Sequence, residues 1–64
     1  MSLAPYQQRV VDEYEELIAK TERLSAFLAA PPVALDSQQG HLMHAQLHAM
    51  QAYGYILSCR IGAF

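Results

Sequence analysis

The ten residues 30–39, APPVALDSQQ, divide the chain into two segments that each have a helical pattern. Pro31 and Pro32 cannot donate a backbone hydrogen bond, and each disfavours helical geometry in the residue before it, so a preceding helix must stop here. Asp36 has Gln39 three residues later, which is the spacing of a capping box and predicts a second helix starting after Asp36. A helix, a short turn and a second helix are therefore expected.

The segment before the turn is predicted to be helical over about residues 5–29, because Pro5 suits a first helical turn. Its apolar residues recur every seven positions and form a seam, which consists of Leu3, Val10, Leu17 and Leu24. Eight of the ten charged residues of the chain also lie in this segment, between Arg9 and Arg23. The side opposite the seam is therefore expected to face water.

The segment after the turn is predicted to be helical over about residues 37–62 and is almost without charge. Beyond Asp36, its one Asp, Glu, Lys or Arg residue is Arg60. Its apolar seam is spaced alternately by four and three, and consists of Met43, Leu47, Met50, Gly54, Leu57, Ile61 and Phe64. More apolar residues fall outside that seam, namely Leu42, Ala45, Ala49, Ala52, Tyr55 and Ile56.

Two helices joined by a turn over about residues 30–36 must lie antiparallel. Residues whose numbers sum to 67 then face each other, so Tyr14 is expected beside Tyr53 and Gly54. The predicted fold is all-α, an antiparallel two-helix hairpin forming a single domain over residues 1–64. Because one seam leaves much apolar surface open, the hairpin is expected to complete its core by homo-oligomerisation, as a four-helix bundle or a larger assembly.

Composition excludes several classes of protein. The chain has a net charge of −2 and therefore lacks the excess of basic residues that a protein binding a nucleic-acid backbone needs. The single cysteine allows no disulfide within the chain, and the N-terminus has no signal-peptide pattern. No run of about 18 apolar residues is present, so no membrane segment is predicted. A cytoplasmic protein is expected.

Three groups of residues could carry chemistry, but the pattern favours a structural role for each. His41, His44 and His48 have metal-ligand spacing on one helix face, yet no acidic residue of that helix could orient the rings, so no metal is predicted. Cys59 lacks a nearby histidine base and is expected to be a buried or half-buried structural thiol. The acidic run of residues 12–16 is interpreted as a solvated face. No catalytic residue and no cofactor are predicted, so an enzyme is the weakest hypothesis.

The open end of the hairpin gives the candidate ligand-binding site. Arg60 and Tyr53 share one heptad position of the second helix, and the first helix brings polar residues towards them. An arginine there could bind a carboxylate or phosphate, and a tyrosine could stack on a base. Alternatively, Arg60 offsets the helix dipole and contacts a neighbouring chain. The candidate residues are Tyr6, Gln7, Arg9, Tyr53 and Arg60.

The segments YQQRVVDEYEELIAKTERLSAFL and QLHAMQAYGYILSCRIGAF resemble a family of small phage proteins related to an uncharacterised crAss-like phage protein. The resemblance implies a phage origin and action in the host bacterial cytoplasm. By analogy with other small helical phage proteins, it favours a counter-defence binding protein, a sponge that sequesters a nucleotide-type immune signal such as a cyclic oligonucleotide or an ADP-ribose derivative. The alternative is a protein–protein interaction module that inhibits a host protein through its acidic first helix and has no small-molecule ligand.

Overall fold

A computed structural model describes residues 2–31 and 33–64, and it contains two helices. Helix α1 spans Pro5–Ala29 and helix α2 spans Ser37–Gly62. The two helices pack side by side as a hairpin, and the described residues contain no strand. The predicted all-α hairpin is therefore confirmed. Its dimensions are 49 × 17 × 14 Å, and its radius of gyration of 14.8 Å exceeds the roughly 11 Å of a globular domain of this length.

Local hydrogen bonds fix the N-terminus of α1. The Oε1 atom of Gln7 accepts a hydrogen bond from the Ala4 backbone N–H at 2.9 Å. This bond is the return half of a capping box, and the other half is missing because alanine has no side-chain oxygen. At the other end, the Ala30 N–H donates to the carbonyl of Ala26 at 3.4 Å, and Pro31 follows. The helix-breaking role predicted for Pro32 lies outside the described residues.

A side-chain cap fixes the start of α2. The Oδ1 atom of Asp36 accepts a hydrogen bond from the Gln39 N–H at 2.8 Å, and the carbonyl of Asp36 accepts from the Gly40 N–H at 2.9 Å. Asp36 is the N-cap residue, as its spacing to Gln39 predicts. The helix closes with the Ala63 N–H, which is shared between the carbonyls of Cys59 and Arg60, both at 3.1 Å.

The core between the helices is thin. Among residues 2–31 and 33–64, its buried apolar side chains are Leu17 on α1 and Leu47 and Leu57 on α2, and Leu57 is the one that is completely covered. Most other seam residues are only half-buried. One chain therefore buries little apolar surface, and the predicted homo-oligomerisation, which the structure of one chain does not show, stays a prediction.

Three contacts give the alignment of the two helices. The ring of Tyr6 contacts that of Phe64, and the Tyr53 hydroxyl group bonds the carboxylate of Glu13. The side chain of Leu17 lies next to Gly54, near the position that a Cβ atom would take there. The predicted neighbour of Gly54 was wrong. A Cβ atom built on Gly54 would lie 3.6 Å from Ile18 Cδ1 and 3.8 Å from Leu17 Cδ2, and no atom of Tyr14 would lie within 4 Å.

Candidate ligand-binding site

An aromatic contact closes the open end of the hairpin. The rings of Tyr6 and Phe64 lie edge to face, with centroids 6.3 Å apart and an interplanar angle of 74°. This geometry is the favourable one for aromatic pairs. Both rings remain more than two-fifths exposed, so the pair holds the helix ends together and still offers apolar surface to another molecule.

Gln7 has a structural task at this end. It is half-buried, and its Oε1 atom accepts from the Ala4 N–H, which would otherwise lack a partner at the start of α1. A ligand contact through this oxygen would therefore compete with the helix cap. In the structure, Gln7 is a helix-capping residue, and its predicted contact with a ligand stays a prediction.

Arg9 and Arg60 are both exposed. Arg60 lies in the last turn of α2, where its positive charge offsets the partial negative charge of the unpaired carbonyl groups. It precedes Phe64 by one turn, while Arg9 follows Tyr6 by about one turn, so the Tyr6–Phe64 contact brings both arginines to the same end of the hairpin. Each guanidinium group is accessible to an anion.

Tyr53 is held from the side of α1. Its hydroxyl group donates a hydrogen bond to the carboxylate of Glu13, which joins the two helices, and its side chain remains 43% exposed. Tyr53 precedes Arg60 by seven residues, which is roughly 10 Å along one face of the helix. An anchored tyrosine ring and an exposed guanidinium group thus follow one another on one side of α2.

Sequence reasoning missed the role of Glu13. The sequence analysis placed it in the solvated acidic run, although the predicted register puts Tyr14, its neighbour, beside Tyr53. The signal was therefore present in the register. It was overlooked because every acidic residue of that run was treated as having the same environment.

The arrangement is an open surface. The structure brings Tyr6, Gln7 and Arg60 to one end and places Tyr53 two helical turns further along α2. Over residues 2–31 and 33–64, one chain forms no pocket. These side chains can contact an anion, but the single hairpin does not enclose it.

The other candidate residues lie away from this end or face solvent. His41, His44 and His48 are exposed, and the part of the chain that the structure describes has no group of three or more His, Cys, Asp or Glu placed to hold a metal ion. Cys59 is exposed, so the prediction of a buried or half-buried thiol was wrong. The reason is its position on α2, about 160° around the helix axis from the fully buried Leu57.

The fold and these side chains define the class of protein as a small helical hairpin with exposed arginine and tyrosine groups. The profile of the Sequestin family matches residues 4–63, and the chain belongs to this family. The family name suggests a sequestering function and specifies no ligand. The match does not extend to the expected relation to a crAss-like phage protein. No curated protein and no solved structure matches the chain.

Neither helix of the described residues is long and apolar enough to cross a membrane.

Proposed function

We propose that this protein is a phage-encoded counter-defence sponge that sequesters a small anionic nucleotide-type immune signal in the host bacterial cytoplasm. The signal is of the class of cyclic oligonucleotides or ADP-ribose derivatives. The protein acts by stoichiometric binding, without catalysis, and as a homo-oligomer. Arg60 and Arg9 contact phosphate groups, while Tyr53 and Tyr6 contact a base.

The observation that carries the proposal is the exposed pair of Tyr53 and Arg60 on α2. The helix contains no other Asp, Glu, Lys or Arg residue, so Arg60 is the one such charge that α2 itself contributes to this face. The chain also belongs to a family named for sequestration. A binding protein needs these contacts and no nucleophile or general base.

Phosphate and nucleobase groups suit this surface for different physical reasons. A guanidinium group presents a planar fork of donors that matches two phosphate oxygens. A tyrosine ring stacks on any base, and ordering the ring costs less entropy when it is already anchored, as Tyr53 is by Glu13. The acidic side of α1 repels a polyanion, which favours approach from the α2 side.

Thermal-shift and calorimetric titration against cyclic dinucleotides, cyclic trinucleotides and ADP-ribose derivatives test the proposal. A ligand present at about 100 times its Kd stabilises the folded state by about 2.7 kcal/mol. At least one of these compounds is expected to raise Tm by several degrees. The effect should weaken as salt is added, because the arginine–phosphate contacts are exposed.

Arg60→Ala is expected to lower affinity for that compound at least tenfold. Arg23→Ala is the matched control, because it also removes an exposed arginine, and Arg23 lies near the turn, at the end of the hairpin away from Arg60. If none of the compounds raises Tm, or if Arg60→Ala binds as tightly as Arg23→Ala, the proposal is wrong.

The acidic surface of α1 supports the alternative, an interaction module that inhibits a host protein. Asp12, Glu13, Glu15 and Glu16 are all exposed on this helix. Replacing Asp12 and Glu16 by Asn and Gln would then abolish capture of one host protein at stoichiometric level. The sponge proposal expects the same variant to keep its ligand affinity.

A further inference from the structure

Helix α2 has a second apolar stripe on the side that α1 does not cover. Its members are spaced alternately by three and four residues, as in the heptad pattern of a coiled coil. All are exposed, and they are Leu42, Ala45, Ala49, Ala52, Ile56 and Cys59. At 100° per residue, this stripe and the seam that packs on α1 are centred about 140° apart around the helix axis. We call it the outer stripe.

The chain exposes more surface than a compact monomer of its mass. The accessible surface of one chain is 4822 Å², whereas a compact monomer of 7.2 kDa exposes about 4,100 Å². The excess of roughly 700 Å² follows from the elongated shape of the hairpin, which leaves both helices open on the sides away from their contact. Leu42 and Ile56, the large residues of the stripe, are each more than half exposed.

The chemistry of the outer stripe matches that of a second copy of itself. The stripe itself contains no charged side chain, and Arg60 lies on its flank, where the guanidinium group can stay in solvent when two copies meet. Its alanines let two helices approach closely along the middle of the stripe. The acidic residues lie on α1, and a second copy packed on α2 keeps these like charges on the outside.

We propose that the outer stripes of two copies pack antiparallel around a two-fold axis near Ala52, with the two α2 helices innermost. Residues whose numbers sum to 105 then lie at the same level of the two helices. Ile56 meets Ala49 of the second copy, and Leu42 meets Ala63, the exposed C-cap residue that continues the spacing of the stripe by four residues. A parallel pair would instead place Leu42 on Leu42 and Ile56 on Ile56, with alanine against alanine between them, and this leaves voids.

The antiparallel pair also completes the ligand-binding surface. A two-fold axis perpendicular to the helices brings the same flank of both copies to one side of the pair. On that flank lie Gln46, Tyr53 and Arg60, one heptad apart. Arg60 then lies beside Gln46 of the second copy, and the two Tyr53 residues face each other across the axis. The outer stripe alone requires the dimer, while this shared groove rests on the proposed function.

Light scattering tests the dimer. The wild-type chain is expected at twice 7.2 kDa, and Ile56→Glu is expected at the monomer mass with its helical circular dichroism spectrum retained. Val33→Glu is the control, since it adds the same charge at an exposed apolar residue of the turn. A monomeric wild type, a trimer, or an Ile56→Glu variant that stays as dimeric as Val33→Glu would overturn the proposal.

Cysteine cross-linking tests the direction of packing in a Cys59→Ala background. A mixture of the Leu42→Cys and Ala63→Cys chains should oxidise to a disulfide-linked heterodimer, whereas Leu42→Cys alone should not cross-link. Cross-linking of Leu42→Cys with itself would overturn the antiparallel arrangement. A dimer in which neither reaction occurs would place the interface elsewhere.

The shared groove has a separate test with the nucleotide compounds named above. The monomeric Ile56→Glu variant should lose at least tenfold in affinity for the compound that the wild type binds. Undiminished binding by that monomer would overturn the shared groove and leave the sponge proposal intact. A wild-type dimer that binds none of the compounds would reject the sponge proposal and leave the dimer intact.

Discussion

Replacing Gly54 by alanine is predicted to stabilise the protein by about 1–2 kcal/mol. Glycine in a helix interior costs roughly 1 kcal/mol relative to alanine because of its backbone entropy. The added methyl group would also be buried at ordinary contact distances from Ile18 and Leu17, 3.6 and 3.8 Å, without displacing either side chain. Burial of one such group contributes about 0.8 kcal/mol.

Gly40→Ala separates these two contributions. A Cβ atom at Gly40 would meet nothing within 4 Å, so this variant gains helix propensity without new packing. Urea unfolding followed by far-ultraviolet circular dichroism gives both free energies, and all chains must be compared at one concentration because assembly changes apparent stability. The free energy of unfolding should rise more in Gly54→Ala than in Gly40→Ala. A Gly54→Ala variant less stable than the wild type would refute the reasoning, because it would mean that the helices need a closer approach than a methyl group allows.

Three further changes probe the packing of the hairpin. Leu57→Ala should lower the free energy of unfolding by about 2–5 kcal/mol, since Leu57 is completely buried, and a loss below 1 kcal/mol in urea unfolding would contradict its place in the core. Asp36→Ala should cost about 1 kcal/mol through loss of the cap on Gln39, whereas Asp36→Asn, which can still accept that bond, should cost less by the same measurement. Tyr53→Phe should cost about 0.5–1.5 kcal/mol through loss of the bond to Glu13, and a double-mutant cycle with Glu13→Ala showing no coupling would disprove that bond.

The overall fold could be predicted because its determinants are local. Two consecutive prolines end a helix whatever surrounds them, and the spacing of Asp36 and Gln39 starts one. A short turn between two long helices leaves only an antiparallel arrangement. None of these steps needs a long-range contact, so sequence reasoning could reach the hairpin.

The partners of individual side chains were harder to predict, and Gly54 shows why. In an α-helix, side chains lean towards the N-terminus, so Leu17 covers a level of α1 one turn before its own Cα atom. That level is near residue 13, which is opposite Gly54 when paired residues sum to 67. A prediction from the positions of the Cα atoms alone therefore gave Tyr14 as the neighbour of Gly54. When the direction of the side chains is taken into account, the neighbour is Leu17.

The exposure of Cys59 had a different cause. Helix α2 has heptad-spaced apolar residues on two sides, and the sequence correctly predicts that the seam with Leu47 and Leu57 is the covered one. Cys59 was not recognised as a member of the second, open set. The seam with larger residues packs on α1, and the outer stripe, with its alanines and Cys59, faces away. The exposure of Cys59 contradicts the prediction of a buried or half-buried thiol. The same exposure, shared by the rest of the outer stripe, supports the proposal that a second copy packs on α2.

The distribution of charge connects the two proposals. Five of the six acidic residues lie on α1, and the sixth, Asp36, caps α2 at the end opposite Arg60. A second copy packed on the outer stripe would add another α2 helix, which has no carboxylate of its own beyond its N-cap, while the Glu13 carboxylate of each α1 stays bonded to Tyr53. Covering this face lowers the local dielectric constant around the rim, and a guanidinium group there gains more from a charged partner than it would in water. In the proposed dimer, association would therefore strengthen the attraction of Arg60 for an anion from solution, and a bound anion would in turn stabilise the pair of chains around it.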